Sequence, residues 1–559
     1  MDRNETITSI KDSSPDVLIV GAGINGVGTF RDLALNGVSV LLVDRSDYCS
    51  GASAASSHMA HGGIRYLENG EFRLVREAVQ ERNRMIHNAP HLVRPLPTAI
   101  PIFKIFSGLL NAPLKFLGWL EKPSERGALV IKIGLIFYDA FTRAQKTVPP
   151  HRFMGRKKAL AEFPGLNPEV RFVATYYDGS ILSPERLTLE LVLEAEAEGS
   201  HARSLNYCSL QGVVGCTVDL KDEITGEVFS ISPRLIINAA GPWIDLANQR
   251  LGIASHYIGG TKGSHLVLHH DGLIQAIGDH EIFFENKDGR IVLVFPLGDR
   301  VLIGTSDLPI QDPDEAHCTQ QEIDYFLGML ARVFPDIKVD PSQIIFRFSG
   351  VRPLAYTLAK NAGQITRDHH IQQDLLDEMP VLSLVGGKWT SYRAFSEQVT
   401  DQTLAFLGLK RKSATTDLPI GGGRDYPSDQ GAKTKLLNEL ESSSGLSRKR
   451  VEILFRRYGT RASEVSAFMQ AGDDAPIAAW PNFTYREIQY MVQREKILHL
   501  DDLLLRRTLL AYLGELSLPL IEEMAVAIGF ALNWDKPRIR FEISRARTIL
   551  AEKHGVTFD

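Results

Sequence analysis

The chain reads as an α/β + α protein, and three features of its 559 residues predict that class. A β-branched run, Asp16-Val17-Leu18-Ile19-Val20, leads into a glycine-rich loop, GAGING, at 21–26. Residues 281–307 alternate as short strands, which predicts a mainly antiparallel sheet. Beyond about residue 410 the pattern turns helical to the end. A chain this long exceeds a single hydrophobic core, so two or three domains are expected.

Taken in order, the first strand and loop are followed by a helix-compatible stretch, Val27 to Asn36. A second strand-like run, Val38 to Val43, ends in Asp44. This strand–loop–helix–strand order is the context of a Rossmann-like dinucleotide site. Gly21 permits the tight turn, Gly23 lets backbone approach a pyrophosphate, and Gly26 lets helix and strand pack closely. The helix N-terminus offers free N–H groups to phosphate, and Asp44 sits where a carboxylate would bind a ribose hydroxyl.

Residues 71–88 place Phe72, Val75, Val79 and Ile86 at helical spacing. Residues 89–101 hold Pro90, Pro95, Pro97 and Pro101, and are expected not to form one regular element. A strand follows at 172–183, then a helix at 183–199 with Ser183 as N-cap, Pro184 in its first turn and Gly199 at its end. Strands continue through 204–238, with a hairpin at Thr225-Gly226. The apolar run Leu235-Ile236-Ile237 enters a small-residue turn, Asn238 to Trp243, and residues 381–401 again read strand, tight loop, helix. After the loop at 421–429, residues 487–514 are the clearest helical part, with leucines for packing.

Three strand-to-glycine junctions so far apart suggest one nucleotide domain built from separate pieces, 14–70, 170–250 and 345–408. Segments 71–169 and 251–344 are the expected substrate and membrane-contact domain, and 410–559 the helical one.

Sixty-two Lys and Arg against 67 Asp and Glu give a net charge of −5, which argues against nucleic acid as a main partner. Cys49, Cys208, Cys216 and Cys318 form no CxxC pair, so a reducing compartment without structural disulfides is expected. The polar, acid-containing N-terminus resembles neither a signal nor a transit peptide, and no apolar run is long enough to span a bilayer. One region departs from the average. Residues 99–119 are apolar and aromatic with interleaved lysines, and Lys104 to Lys158 holds eleven Lys/Arg against three Asp/Glu. That pattern fits a segment in the interface of an anionic membrane, with Phe103, Phe106 and Trp119 as its aromatic anchors.

Several motifs together carry a resemblance: HGGIRYLENGEFRLVREA (61–78), NAPHLVRPL (88–96), NAAGPW (238–243), KGSHLV (262–267), LIGTSD (302–307), SGVRPL (349–354), ITRD (365–368) and GGKWTSYR (386–393). Nearly the whole chain resembles the FAD-dependent glycerol-3-phosphate dehydrogenases, membrane-associated flavoproteins that pass electrons to quinone. The resemblance implies a glycine-oxidase-type flavoprotein fold with a FAD domain, an antiparallel substrate sheet and a helical cap. It implies oxidation of sn-glycerol 3-phosphate to dihydroxyacetone phosphate, at the inner face of the cell membrane on the cytoplasmic side. A homodimer is among the assemblies it allows.

Such a reaction needs a proton acceptor at the hydroxyl, a hydride acceptor at the carbon and fixed positive charge for the phosphate. His265 is the candidate base, because an imidazole titrates near neutral pH, with Arg65 and Lys388 as further catalytic candidates. Arg352 and Arg367 match the substrate-site arginines, Arg65 and Tyr66 match residues beside the flavin and substrate, and Thr390 offers a hydroxyl contact. Gly21, Gly23, Asn25, Gly26, Asp44, Ser53, Ser57, His61, Gly62, Gly241, Gly387 and Lys388 are the expected FAD contacts. His58 stands where that family usually carries lysine, which implies a weaker cationic contact near the flavin. A flavin oxidase that uses oxygen, on this or another polyol phosphate or hydroxy acid, is the first alternative. A flavin-binding protein without turnover is the second.

Overall fold

The computed structural model describes residues 3–64, 71–105, 127–142, 147–285, 291–357 and 368–558. Arg65, Tyr66 and Arg367, and the aromatic anchors Phe106 and Trp119, lie outside the described residues. Two large sheets organise the rest.

The first sheet has six strands in the order His370–Leu376, Met379–Val385, Leu235–Asn238, Val17–Val20, Val40–Val43, Ala202–Leu205. All neighbours are parallel except the hairpin of the first two. The three strands that end in glycine loops are therefore adjacent, although more than three hundred positions separate the outer two. Val17, Leu18, Ile19, Ile236 and Ile237 are fully buried. Burial on both faces explains why these runs are continuously apolar rather than alternating. Helix Ile24–Leu35 begins three residues earlier than the sequence pattern suggests, because its first turn is part of the glycine loop itself. Helix Pro184–Ala197 starts at Ser183, whose hydroxyl accepts from the Arg186 N–H, with Pro184 in the first turn as expected.

The second sheet has ten strands and is antiparallel except where Glu281–Glu285 runs parallel to Val93–Ile102. Phe172–Ile181 and Ile344–Arg352, both inside segments grouped with the nucleotide pieces from sequence, pair into this second sheet. The expectation for residues 89–101 is corrected here: Val93–Ile102 is one ten-residue strand, paired throughout with Phe172–Ile181. Pro95, Pro97 and Pro101 share one parity, so the N–H groups they lack all fall on the same side. The strand has a neighbour on each edge, and the second, Glu281–Glu285, pairs only at Thr98 and Ala99, between Pro97 and Pro101.

The C-terminal part is helical, including Gln430–Ser444, Arg448–Tyr458, Tyr485–Arg494, Leu518–Leu532 and Lys536–His554. It shares one core with the second sheet, in which Phe346, Phe348 and Val267 pack with Leu503, Leu504 and Ile521. The helical stretch at 487–514 is broken into separate segments. Tyr485–Arg494 ends at a turn in which Lys496 has φ +55°. The Asp502 carboxylate then accepts from the N–H groups of Leu498 and His499, both at 2.9 Å. The leucines there report burial rather than helical periodicity. Among the described residues no helix is long and apolar enough to cross a membrane.

Candidate active site

A cleft of about 2150 Å³ lies along the carboxyl ends of the first sheet and continues onto the second. Ligands in open α/β sheets bind at that edge, and this volume exceeds the usual pocket for a drug-sized molecule. Gly21, Gly23, Asn25, Asp44, Ser53, Gly241 and Gly387 line its nucleotide end, and Ser57, His61, His265, Arg352 and Lys388 its other end.

Close backbone approach dictates the glycines. Gly21 has φ +108°, and a Cβ there would lie 2.5 Å from the Ala239 carbonyl oxygen, on the neighbouring strand's loop. A Cβ on Gly26 would lie 2.0 Å from the Gly21 oxygen. Gly387, at φ +96°, passes directly over Asn25, whose Nδ2 would meet a Cβ at 2.5 Å. Thus the first and third glycine junctions touch across the sheet. Ser53 is placed differently from a free phosphate contact, since its Oγ accepts from the Ile24 N–H at 2.9 Å and caps the loop. Asp44 accepts from the N–H groups of Ala22 (2.7 Å) and Ser46 (2.9 Å). Burial pushes its carboxyl up to about 6, against the pull of those two bonds.

At the other end, strand Thr261–Leu268 carries His265 and pairs with strand Ile344–Arg352, Thr261 opposite Arg352. The Arg352 guanidinium lies across Gly263, where a Cβ would approach Nη2 to 2.4 Å. It is held by Asp307 Oδ1 (3.1 Å), Thr305 Oγ1 (2.8 Å) and the Ser306 carbonyl (3.1 Å). Gly263 and His265 share one strand face, so guanidinium and imidazole stand one side-chain repeat apart, roughly 7 Å. His265 is buried, stacks on Phe348 at 4.7 Å, and shares a hydrogen bond between Nε2 and Ser57 Oγ at 2.8 Å. Burial holds its pKa well below the ordinary histidine value, with Arg352 adding to the effect. The ring is neutral at physiological pH and able to accept a proton.

Three expected residues act at one remove from the cleft. Gly62 is buried, its N–H donating to Asp178 Oδ1 at 2.9 Å, with no room for a Cβ beside the Tyr138 hydroxyl. Thr390 donates to the His61 carbonyl at 3.1 Å and so ties the third glycine junction to the HGG segment. His58 is corrected more sharply. Its backbone is left-handed (φ +53°), and its ring is fully buried against Tyr512 and Phe348. Its ring packs into that core and is not among the residues that line the cleft, so this position supplies no group to it.

Sequence reasoning missed Asp178, Thr305 and Asp307, which also line the cleft. Asp307 ends the LIGTSD motif, but only tertiary pairing assigns it to Arg352. Also missed is helix Ala128–Thr142. Its outer face exposes Leu129, Ile133, Ile136 and Phe137, with Phe72 edge-on to Phe137 at 6.1 Å. The signal was present in GALVIKIGLIFYDAF, apolar with only Lys132 and Asp139 charged.

The glycine cradle, the elongated cleft and the buried Asn25 Oδ1, which has no hydrogen-bond partner in the protein, fit a bound flavin dinucleotide. Fold and cleft thus define an FAD-dependent oxidoreductase, and the family model of that description, FAD dependent oxidoreductase, matches residues 16–377. A second model, the C-terminal domain of alpha-glycerophosphate oxidase, matches residues 413–539. A glycerol-3-phosphate dehydrogenase of Synechocystis is 34% identical over 528 residues, spanning 90% of each chain. One from Pseudomonas aeruginosa is 31% identical over 534 residues, 93% of this chain and 96% of that one. The crystal structure of the Bacillus halodurans glycerol-3-phosphate dehydrogenase complexed with FAD has a TM-score of 0.76 at 22% identity. It covers 98% of this chain and 97% of its own. The chain belongs to the FAD-dependent glycerol-3-phosphate dehydrogenase family.

Proposed function

We propose that the protein oxidises sn-glycerol 3-phosphate to dihydroxyacetone phosphate and passes the electrons to a membrane quinone. The observation that carries the reading is the pairing of His265 and Arg352 on adjacent strands across Gly263. Roughly 7 Å between a buried neutral imidazole and a guanidinium suits a hydroxyl and a phosphate on one three-carbon skeleton.

Bound FAD supplies the hydride acceptor. Arg352, fixed by Asp307 and Thr305, supplies positive charge to the phosphate, and Arg367 is assigned to the same group. The proton of the secondary hydroxyl passes to the His265 imidazole, whose ring the bond between Nε2 and Ser57 Oγ orients. Lys388, on the loop after Met379–Val385, sets a positive charge beside the reacting centre. Arg65 and Tyr66 are assigned to the substrate's other face. Asp44, the glycine loop with Gly21 and Gly23, and Gly241 of the second junction hold the dinucleotide. Asn25, His61 and Gly387 line the flavin end.

The exposed face of Ala128–Thr142 supports the membrane part. Its apolar residues recur at helical spacing in a lysine- and arginine-rich stretch of an acidic chain, the composition of a helix lying in an anionic interface. The opposite face carries Tyr138, whose hydroxyl donates to the cleft residue Asp178. The membrane-facing helix therefore backs directly onto the cleft wall.

Anaerobic mixing of the yellow holoenzyme with glycerol 3-phosphate, glycerol and lactate tests the reaction. Bleaching by the phosphate ester alone is expected. Bleaching by none of the three would leave a flavin-binding protein without this turnover. Reoxidation is then followed with a soluble quinone and with air. Fast quinone reduction with little hydrogen peroxide is expected, and the reverse would assign an oxidase.

A further inference from the structure

Beneath the cleft floor, a single carboxylate joins the strands that carry both proposed substrate contacts. Glu322, in the first turn of helix Gln320–Val333, is buried. Its Oε1 accepts from Ser264 Oγ at 2.7 Å and Ser306 Oγ at 2.5 Å. Its Oε2 accepts from Lys262 Nζ at 2.7 Å, and from the Thr319 N–H and hydroxyl, each at 2.9 Å. Ser264 and Ser306 are themselves joined, the Ser264 N–H donating to Ser306 Oγ at 2.9 Å, and Ser264 Oγ meets Ser349 Oγ at 2.6 Å.

The bonded residues are neighbours of the working ones. Ser264 precedes His265. Ser306 lies between Thr305 and Asp307, both of which hold Arg352, and its carbonyl accepts from Arg352 as well. Ser349 is on the strand that ends in Arg352. Strand Thr261–Leu268 and the loop after Gly304 bond the carboxylate directly, and the strand of Arg352 joins it through Ser349 and Ser264. Burial pushes the Glu322 carboxyl up, but Lys262, Ser306, Thr319 and Ser264 together hold it down at about 2, so it stays ionised at all working pH values. A helix cap alone needs only the Thr319 contacts. The serines and Lys262 are additional, and they all lie on the sheet.

We propose that Glu322 is a positioning residue that sets the spacing between His265 and Arg352 by pinning the strand of His265 to the loop that holds Arg352. The proposal rests on the reading that His265 takes the proton and Arg352 the phosphate. Errors of an ångström in such spacing cost catalysis heavily, while the dinucleotide end, on the other sheet, is untouched. An amide removes the charge that faces Lys262, and its NH₂ group would force the serine hydroxyls to turn from donors to acceptors.

The test uses purified holoenzyme carrying Glu322→Gln. FAD content and affinity are expected within twofold of wild type. KM for glycerol 3-phosphate is expected to rise and the anaerobic flavin reduction rate to fall, each by ~10-fold. Ser306→Ala and Ser264→Ala divide the effect. The first is expected to act mainly on KM, through the arginine side, and the second mainly on the reduction rate, through the histidine side. A role confined to stability would move neither parameter selectively. Wild-type values in Glu322→Gln overturn the proposal. Should that variant fail to fold, wild-type values in both serine variants overturn it equally. Arg352→Ala and His265→Ala run beside them. A normal KM in the first or a normal reduction rate in the second removes the functional reading, and the proposal falls with it. Large effects there with none at Glu322, Ser264 and Ser306 remove the positioning role alone.

Discussion

The two ends of the cleft are built on opposite principles. The nucleotide end is backbone: three parallel strands stop side by side, and glycines let their loops touch each other. The other end, the proposed substrate site, is side chain: an imidazole, a guanidinium and their acidic and hydroxyl partners meet on an antiparallel sheet. The first design tolerates no added atom, whereas the second tolerates atoms but not a lost partner. Each end should therefore fail in its own way.

The largest effect is expected from one methyl group at the nucleotide end. In Gly26→Ala the new Cβ would sit 2.0 Å from the Gly21 oxygen, with the backbone on both sides fixed by the sheet. Neither atom belongs to a flexible side chain, so the loop itself must move. The purified protein is expected to be colourless, with flavin absorbance near zero and no recovery on added FAD. A yellow Gly26→Ala protein with normal flavin content would erase the contrast between the two ends.

A smaller loss tests whether the helical C-terminal part belongs to the nucleotide end. Asp47, three residues after Asp44, is buried and accepts from Arg507 at 2.7 and 3.0 Å, from Arg506 at 2.6 Å and from Asn206 at 2.9 Å. Both arginines come from the C-terminal region. Burial alone would raise the Asp47 carboxyl, but the two guanidinium groups hold it far below the usual range. Removing one partner of a buried pair costs about 3–5 kcal/mol, and the remaining Arg506 places Arg507→Ala near the low end. Urea unfolding of the holoenzyme followed by flavin release should report that loss. An unchanged midpoint would separate the helical region from the cofactor loop.

The same contrast explains what could be read in advance. The glycine junctions were legible because a forced close approach leaves a glycine in the chain wherever it occurs. Their adjacency followed because sequential βα units tend to place strand ends together. Ser183 and Pro184 likewise announce a helix start locally. Glu322, Asp178 and Asp47 leave no comparable mark. An acid on a helix or strand looks the same whether it faces water or pins a strand to a loop, and only tertiary pairing distinguishes them. The prolines of 89–101 misled for a related reason. Their parity was readable, but how little of one edge would be paired was not. At position 58 the departure from the family pattern was visible, yet its location was misjudged because packing against the distant Phe348 and Tyr512 cannot be seen in a lone histidine.

That histidine offers the finest test, since it lies where the substrate sheet meets the helical part. Burial lowers the His58 pKa from 6.5 to about 4, and both ring nitrogens lack hydrogen-bond partners. The folded protein keeps the ring neutral down to about pH 4, while the unfolded chain takes up a proton near its ordinary value. Between those values the unfolded state binds more protons, so stability falls as the pH drops through the window. At pH 5 the difference is about 1.5 pK units, or about 2 kcal/mol. His554, stacked on Phe346 and also lowered to about 4, adds a contribution of the same sign. His58→Asn keeps a residue type that tolerates the left-handed backbone and removes the titrating group. Urea midpoints at pH 7 and pH 5 should therefore differ less in the variant, by about 2 kcal/mol in unfolding free energy. Equal pH dependence in the two proteins would mean that His58 is hydrated in solution, and that the sheet and the helical region do not close tightly around it.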